Sequence, residues 1–273
     1  MVGRVRSCQV NIPNQYRNST LALHSRIRAV CAVFLRRIKD AKQARKMQDY
    51  DAAGKKRQER KDRKERMTVA PLNIVFSVTL EGSAVRLEPL RRDHAELFWQ
   101  VANTDLEDIF RWIPYSMKVR EDFDRLVEKA FHEQDRGESI VFATVDRASD
   151  RTVGSTRFMN IDRANRRVEI GSTWIAPAWQ RTAINTEAKY LMLRHAFEVW
   201  GCVRVELKTD ALNEKSRNAI LRIGAKEEGT LRRHVVTWTG RIRDSVYFSI
   251  LDDEWPAAKA RLEARISQGT PSL

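Results

Sequence analysis

Several scarcities set the first limits. The three cysteines, Cys8, Cys31 and Cys202, are scattered with no C-x-x-C pair, so neither a disulfide framework nor a zinc site is expected. A reducing, cytoplasmic setting is the default that follows. The five histidines lack metal-ligand spacing, and no metal is expected. No run of uncharged apolar residues approaches the ~20 that a membrane-spanning helix needs. Acidic side chains are missing altogether before Asp40.

That last gap shows where the charge lies. The 273 residues carry a formal net charge of +14, yet residues 1–66 hold 19 Lys+Arg against 6 Asp+Glu, while residues 67–273 hold 31 against 30. The folded part is near neutral and the basicity belongs to the extension. Within it, Leu23, Ile27, Val30, Phe34 and Ile38 fall at helical spacing between arginines and Lys39. From Asp40 to Arg66 the chain is mostly charged and almost free of large apolar side chains, which suits a solvated segment. Three readings compete: a basic surface for RNA, a ribosome or an anionic surface, an Arg-rich targeting presequence, or translation that begins at Met67. The third is favoured, because Met67 sits just ahead of the point where composition turns globular.

Read in order, the rest predicts mixed elements. Ala84–Glu88 is a first strand ended by Pro89, and Asp93 caps a helix that turns Leu97, Phe98 and Val101 inward. An aromatic connection, Phe110–Tyr115, leads to an amphipathic helix over Glu121–Arg136, stopped by Gly137. Ile140–Val145 and Val153–Ile161 form a hairpin, with Arg167–Ile175 pairing next to it. A helix over Asn185–Trp200 crosses to a parallel strand at Val203–Thr209. Another helix over Asn213–Ile223 ends at Gly224, followed by an antiparallel pair, Glu228–Trp238 with Ser245–Leu251, and a closing helix at Ala257–Ile266. The class is α+β. The expected organisation is an extension at 1–66, a lead-in at 67–83, a domain at 84–256 and a C-terminal helix and tail at 257–273.

The organising stretch is Glu169–Gly224. Arg167–Ile175 alternates, which places Val168, Ile170, Ser172 and Trp174 on one face and Glu169, Gly171, Thr173 and Ile175 on the other. Ala176-Pro177 ends that strand. Gln180–Asn185 is then a short loop, with Thr182, Asn185 and Thr186 as candidate caps. Unpaired N–H groups and the helix dipole suit such a loop to a phosphate, although most strand–loop–helix units bind none.

The wording W-I-x-P-x-W-Q-R-T-A-I-N-T-E-A, followed by R-V-E-L-K-T-D-x-x-N-x-x-S-R-x-A-I-x-x-x-G-A, resembles the GNAT acetyltransferases. It is most similar to the branch that acetylates N-terminal amines of ribosomal proteins. The resemblance covers about Ala84–Trp255. It implies a mixed, splayed sheet and acetyl-coenzyme A as co-substrate. It also implies that the loop Gln180, Arg181, Thr182, Ala183, Ile184, Asn185 cradles the pyrophosphate. At the fourth loop position Ala183 replaces the usual glycine, which adds a methyl group and is strained if φ is positive there.

By the same resemblance, the thioester lies against the backbone of Thr173, Trp174 and Ile175, where an N–H polarises the carbonyl. Asn213 bonds the pantetheine arm and Ser216 donates to the departing sulfur; Asn213 is equally placed to cap its helix. Arg217 and Arg181 are candidates for the phosphates, though exposed arginines need no such role. Glu169 is the candidate base for the attacking amine, or else an ordinary salt-bridged glutamate. Trp112 and Tyr115 are candidates for the acceptor cleft, and as core aromatics they would read the same. His195 reads as a buried, hydrogen-bonded histidine and His234 as a fallback base. Asp244 and Tyr247 match the family without an assignable role.

Two function classes follow. One is an acetyl-coenzyme A-dependent N-acetyltransferase, monomeric or homodimeric, that attacks the thioester directly with a primary amine. The other is a catalytically weak scaffold acting as a binding module, localised by its basic extension. Ala183 favours the second, whereas Gln180, Asn213 and Ser216 favour the first.

Overall fold

The computed structural model describes residue 74 and residues 77–268. All of them belong to the second of the two units into which the chain divides, Pro71–Leu273. The basic extension and its amphipathic stretch therefore lie outside the described residues.

The elements run β1 (Leu80–Glu81), β2 (Val85–Pro89), α1 (His94–Ala102), α2 (Leu106–Phe110), α3 (Arg120–Asp135), β3 (Ser139–Asp146), β4 (Arg151–Asp162) and β5 (Arg167–Ile175). A 3-10 turn at Pro177–Trp179 precedes α4 (Ala183–Arg194), which runs on into a π turn at His195–Val199. Then come β6 (Arg204–Asp210), α5 (Glu214–Arg222), β7 (Lys226–Val236), β8 (Ile242–Leu251) and α6 (Trp255–Ser267). One eight-stranded sheet has the order β1-β2-β3-β4-β5-β6-β8-β7. All neighbours are antiparallel except β5 and β6. The α+β class and its single parallel crossover are as expected.

Alternation along β3 divides the core between the two sheet faces. Val141 and Ala143 pack with α1–α3, around Phe98, Phe110 and Phe123. Ile140 and Phe142 pack into the larger cluster, with Leu191, Met192 and Leu193 of α4 and Leu262 of α6. The helix expected to lie beyond the domain is thus part of its core through Trp255, Ala258 and Leu262. β1 falls inside the stretch expected as a lead-in.

Some local expectations need correction. Asp93 makes no side-chain cap and pairs with Arg91 at 3.1 Å. His94 turns inward instead, its Nδ1 accepting from the Arg91 N–H at 3.0 Å. Phe98 is buried and Val101 packs half-buried against the same cluster as expected, while Leu97 is only half-buried. The first strand ends at Pro89 as expected, with Pro89 its last residue, opposite Phe142.

The feature that positions the site is the divergence of β5 from β6. They pair only over Arg167–Glu169 with Arg204–Glu206, whereas β6 stays bonded to β8 up to Asp210. From Ile170 onward that edge of β5 has no strand partner and faces a widening wedge.

Candidate active site

A bulge sets the geometry inside the wedge. Ser172 has φ +46°, and the β4–β5 register slips between Ser155↔Trp174 and Arg157↔Gly171. An extra residue in one strand reverses the alternation beyond it. Val168, Ile170 and Ile175 therefore share the α4 face, while Trp174 points to the other, with ring centroids 5.3 Å from Phe98 and 5.3 Å from Phe110. This overturns the expectation that Trp174 shares a face with Val168 and opposes Glu169. The physical reason is the left-handed backbone at Ser172, next to Gly171 inside the strand.

Beyond Pro177 the chain enters α4 earlier than expected. Thr182 is the N-cap, its hydroxyl accepting from the Ile184 N–H at 3.4 Å and donating to the Trp179 carbonyl at 2.7 Å. Ala183, Ile184 and Asn185 are thus the first turn of the helix and not a loop. The left-handed residue is Arg181, φ +63°. Ala183 has ordinary helical backbone, so the anticipated strain is absent. Converting Ala183 to glycine should relieve nothing. The expected result is a change below about threefold in cofactor affinity, with a stability loss of about 0.5 kcal/mol from the more flexible residue, checked by calorimetry and thermal melts.

One cavity of about 1240 Å³ joins the helix start, the wedge and the space under α2–α3. It brings together Trp112, Tyr115, Glu169, Thr173, Trp174, Ile175, Gln180, Arg181, Thr182, Asn185, Asn213 and Ser216. Arg217 is not on its wall; its guanidinium reaches Glu227 at 3.3 Å. His234 is exposed, off the wall, and packs edge-on against Tyr247 at 5.8 Å between ring centroids. His195 is buried, but its Nε2 has no hydrogen-bond partner, which corrects the hydrogen-bonded reading. Burial lowers its pKa.

Gln180 braces the mouth of the wedge. Its Nε2 donates to the Ile175 carbonyl at 2.8 Å, and its Oε1 accepts from Lys215 of α5. Asn213 caps α5, its Oδ1 accepting from the Ser216 N–H at 3.0 Å. Its amide nitrogen has no protein partner among the described residues.

Glu169 is buried, and its Oε2 accepts from Asn160 at 2.8 Å and Lys208 at 3.1 Å. Its Oε1 lies toward Gly171, where an added Cβ would come within 3.1 Å of it. That oxygen accepts no hydrogen bond from the described residues. Arg157, buried beside Glu133 at 3.0 Å, also lines this end. Arg243 donates to the Trp112 carbonyl at 3.2 Å and so ties the aromatic connection to β8. Its neighbour Asp210 is buried and also pairs with Arg241. Burial lowers the Arg243 pKa, which Asp210 partly offsets.

Sequence reading missed Lys189. It is buried on α4 and lines the cavity. Its Nζ lies 2.6 Å from the Thr173 hydroxyl and 3.2 Å from that of Thr156, and those hydroxyls are 2.7 Å apart. Desolvation pushes its pKa down to about 7. Cys202 is the only cysteine among the described residues. It is buried off the cavity wall, its thiol pushed up by desolvation to about 12. No group of three or more His, Cys, Asp or Glu among the described residues could hold a metal ion. No helix among them is long and apolar enough to cross a membrane.

A mixed sheet that splays beside a bulged strand, with a capped helix start at its mouth, defines the architecture of a group-transfer domain. The description "Acetyltransferase (GNAT) domain" matches residues 84–226, and the chain belongs to that family. A Bacillus subtilis protein carrying the provisional name ribosomal N-acetyltransferase YdaF is 38% identical over 106 residues, 39% of this chain and 57% of that one. A GCN5-related N-acetyltransferase from Brucella melitensis is 34% identical, with a TM-score of 0.67 over 73% of this chain and 90% of that one. Mycobacterium smegmatis RimJ, solved with CoA-disulfide, shares the fold at 24% identity, with a TM-score of 0.61 over 72% of this chain and 97% of that one.

Proposed function

We propose that this chain transfers the acetyl group of acetyl-coenzyme A to a primary amine, which attacks the thioester directly. The observation that carries the reading is the continuity of the cavity. At one end lies the start of α4, whose first-turn N–H groups have no intrahelical partner and beside which stand Arg181 and Lys215. In the middle is the edge of β5 beyond Glu169, which has no strand partner and is able to bond an extended amide arm as a missing strand would. At the far end are Trp112, Tyr115 and Glu169, where an acceptor enters.

Asn213 then has an amide nitrogen to give to the arm, and the Ser216 hydroxyl faces the same space. Glu169 is the base: its Oε2 is fixed by Asn160 and Lys208, which leaves Oε1 to take the amine proton. Direct attack is favoured over an acyl-cysteine route, because Cys202 holds its proton and lies off the cavity. The provisional name of YdaF, ribosomal N-acetyltransferase, favours a ribosomal acceptor, and a small-molecule amine is the other class the cleft admits. A weak scaffold loses much of its support once Ala183 is seen in unstrained helix.

Acetyl-coenzyme A titrated into the full chain should bind at micromolar concentration and raise the melting temperature. Coenzyme A release should then follow with N-terminal peptides or with simple amines. A folded protein that binds no acetyl-coenzyme A would overturn the enzyme reading.

A further inference from the structure

Lys189 is the group on the cavity wall that the reaction outlined above leaves unused. A lysine ammonium has three N–H donors. Two are directed at Thr156 and Thr173, and the third has no protein acceptor among the described residues. Thr173 is the β5 residue just past the bulge, so the amine stands directly behind the strand edge that lines the wedge.

No charge compensates it. On α4 itself, Glu187 is turned to Ser83–Val85. Across β5, Glu169 is engaged by Asn160 and Lys208. On β2, Arg86 and Glu88 pair with each other, and on α6 Glu263 accepts from Tyr190. Arg265 of α6, also on the cavity wall, adds only like charge. Burial alone sets the protonation of this amine. An uncompensated buried lysine lowers the stability of a fold, and such groups in clefts mark functional sites.

We propose that Lys189 binds the acyl end of the cofactor, giving its third N–H to a carbonyl oxygen there, so that acetyl-coenzyme A is taken up together with a proton. The inference rests on the cavity being the acetyl-coenzyme A site. Before binding, the amine is largely neutral above neutral pH. A carbonyl acceptor in contact favours the ammonium, and the same positive charge then stands beside the oxygen on which negative charge grows as the amine adds.

Calorimetry of acetyl-coenzyme A binding to the full chain at pH 8, in buffers of different ionisation enthalpy, tests this. About half a proton or more should be taken up per cofactor bound. Lys189→Met should abolish that uptake and weaken binding about tenfold, with its far-UV spectrum and melting transition showing a folded protein. Thr173→Val should reduce the uptake without abolishing it, because the amine keeps Thr156 and the cofactor. Equal proton uptake in the wild type and Lys189→Met would overturn the proposal, as would unchanged affinity in the variant. Absence of any binding by the wild type would instead overturn the underlying assignment of the cavity.

Discussion

Glu187→Ala is expected to destabilise the domain by about 3 kcal/mol, lowering the melting temperature by roughly 10 °C. This carboxylate is the clasp between α4 and the β1–β2 turn. Its Oε1 accepts from the Ser83 N–H at 2.8 Å and the Ser83 hydroxyl at 2.7 Å. Its Oε2 accepts from the N–H groups of Ala84 at 2.6 Å and Val85 at 3.0 Å. Truncation leaves three backbone donors without their acceptor. Water can reach those of exposed Ser83 and half-buried Ala84 but not the buried Val85, so the cost is below three full desolvation penalties. Glu187→Gln should lose roughly half as much, since one amide oxygen still accepts. The same clasp explains Gly82, where an added Cβ would sit 2.4 Å from the Glu187 carboxyl carbon. Gly82→Ala displaces the carboxylate, so Gly82→Ala and Glu187→Ala together should cost clearly less than their sum. Denaturant titrations of the two single variants and the double variant measure it. Strict additivity would show that the two positions do not share this contact.

Much of the wedge mouth was legible because its signals are local. Pro177 stops β5, Thr182 caps α4, Asn213 caps α5 and Gly224, φ +99°, closes it. Each of these acts within a few residues of itself, so a single sequence carries the whole message. The bulge at Ser172 left only Gly171 inside the strand as a sign, because a serine at positive φ is held there by β4 and not by its own preference. Reading straight through it turned Trp174 to the wrong face. The clasp and the buried amine failed for another reason. Glu187 and Lys189 look like the solvated positions of an amphipathic helix, and Glu187 acquires its role only from residues about a hundred positions earlier. One signal was present. The stretch over Asn185–Trp200 is apolar on more than one face, and a helix with so little solvent face has few exposed places for a charge. The same reasoning carried to Glu187 and Lys189 would have singled them out.

Lys189→Met should therefore stabilise the fold while weakening cofactor binding. The unfolded chain protonates this lysine at its ordinary pKa near 10.4, whereas in the folded state burial lowers it to about 7. Between those values the unfolded state binds more protons, so wild-type stability rises with pH across that window. Below about pH 7 the folded protein either buries a charge or gives up a proton that the unfolded chain keeps, and the penalty is fully present. Methionine removes it, and the lost hydrogen bonds leave no orphan, since the Thr156 and Thr173 hydroxyls are already 2.7 Å apart and bond each other. The gain should be about 2 kcal/mol at pH 6, shrink steadily above pH 7 and vanish toward pH 10. Denaturation of both proteins at pH 6 and pH 9 reads it directly. A gain of the same size at both values would mean that the amine keeps its ordinary pKa in the fold. A gain confined to low pH would identify Lys189 as a group retained at a cost to stability, which is how polar residues held for function behave in a well-packed core.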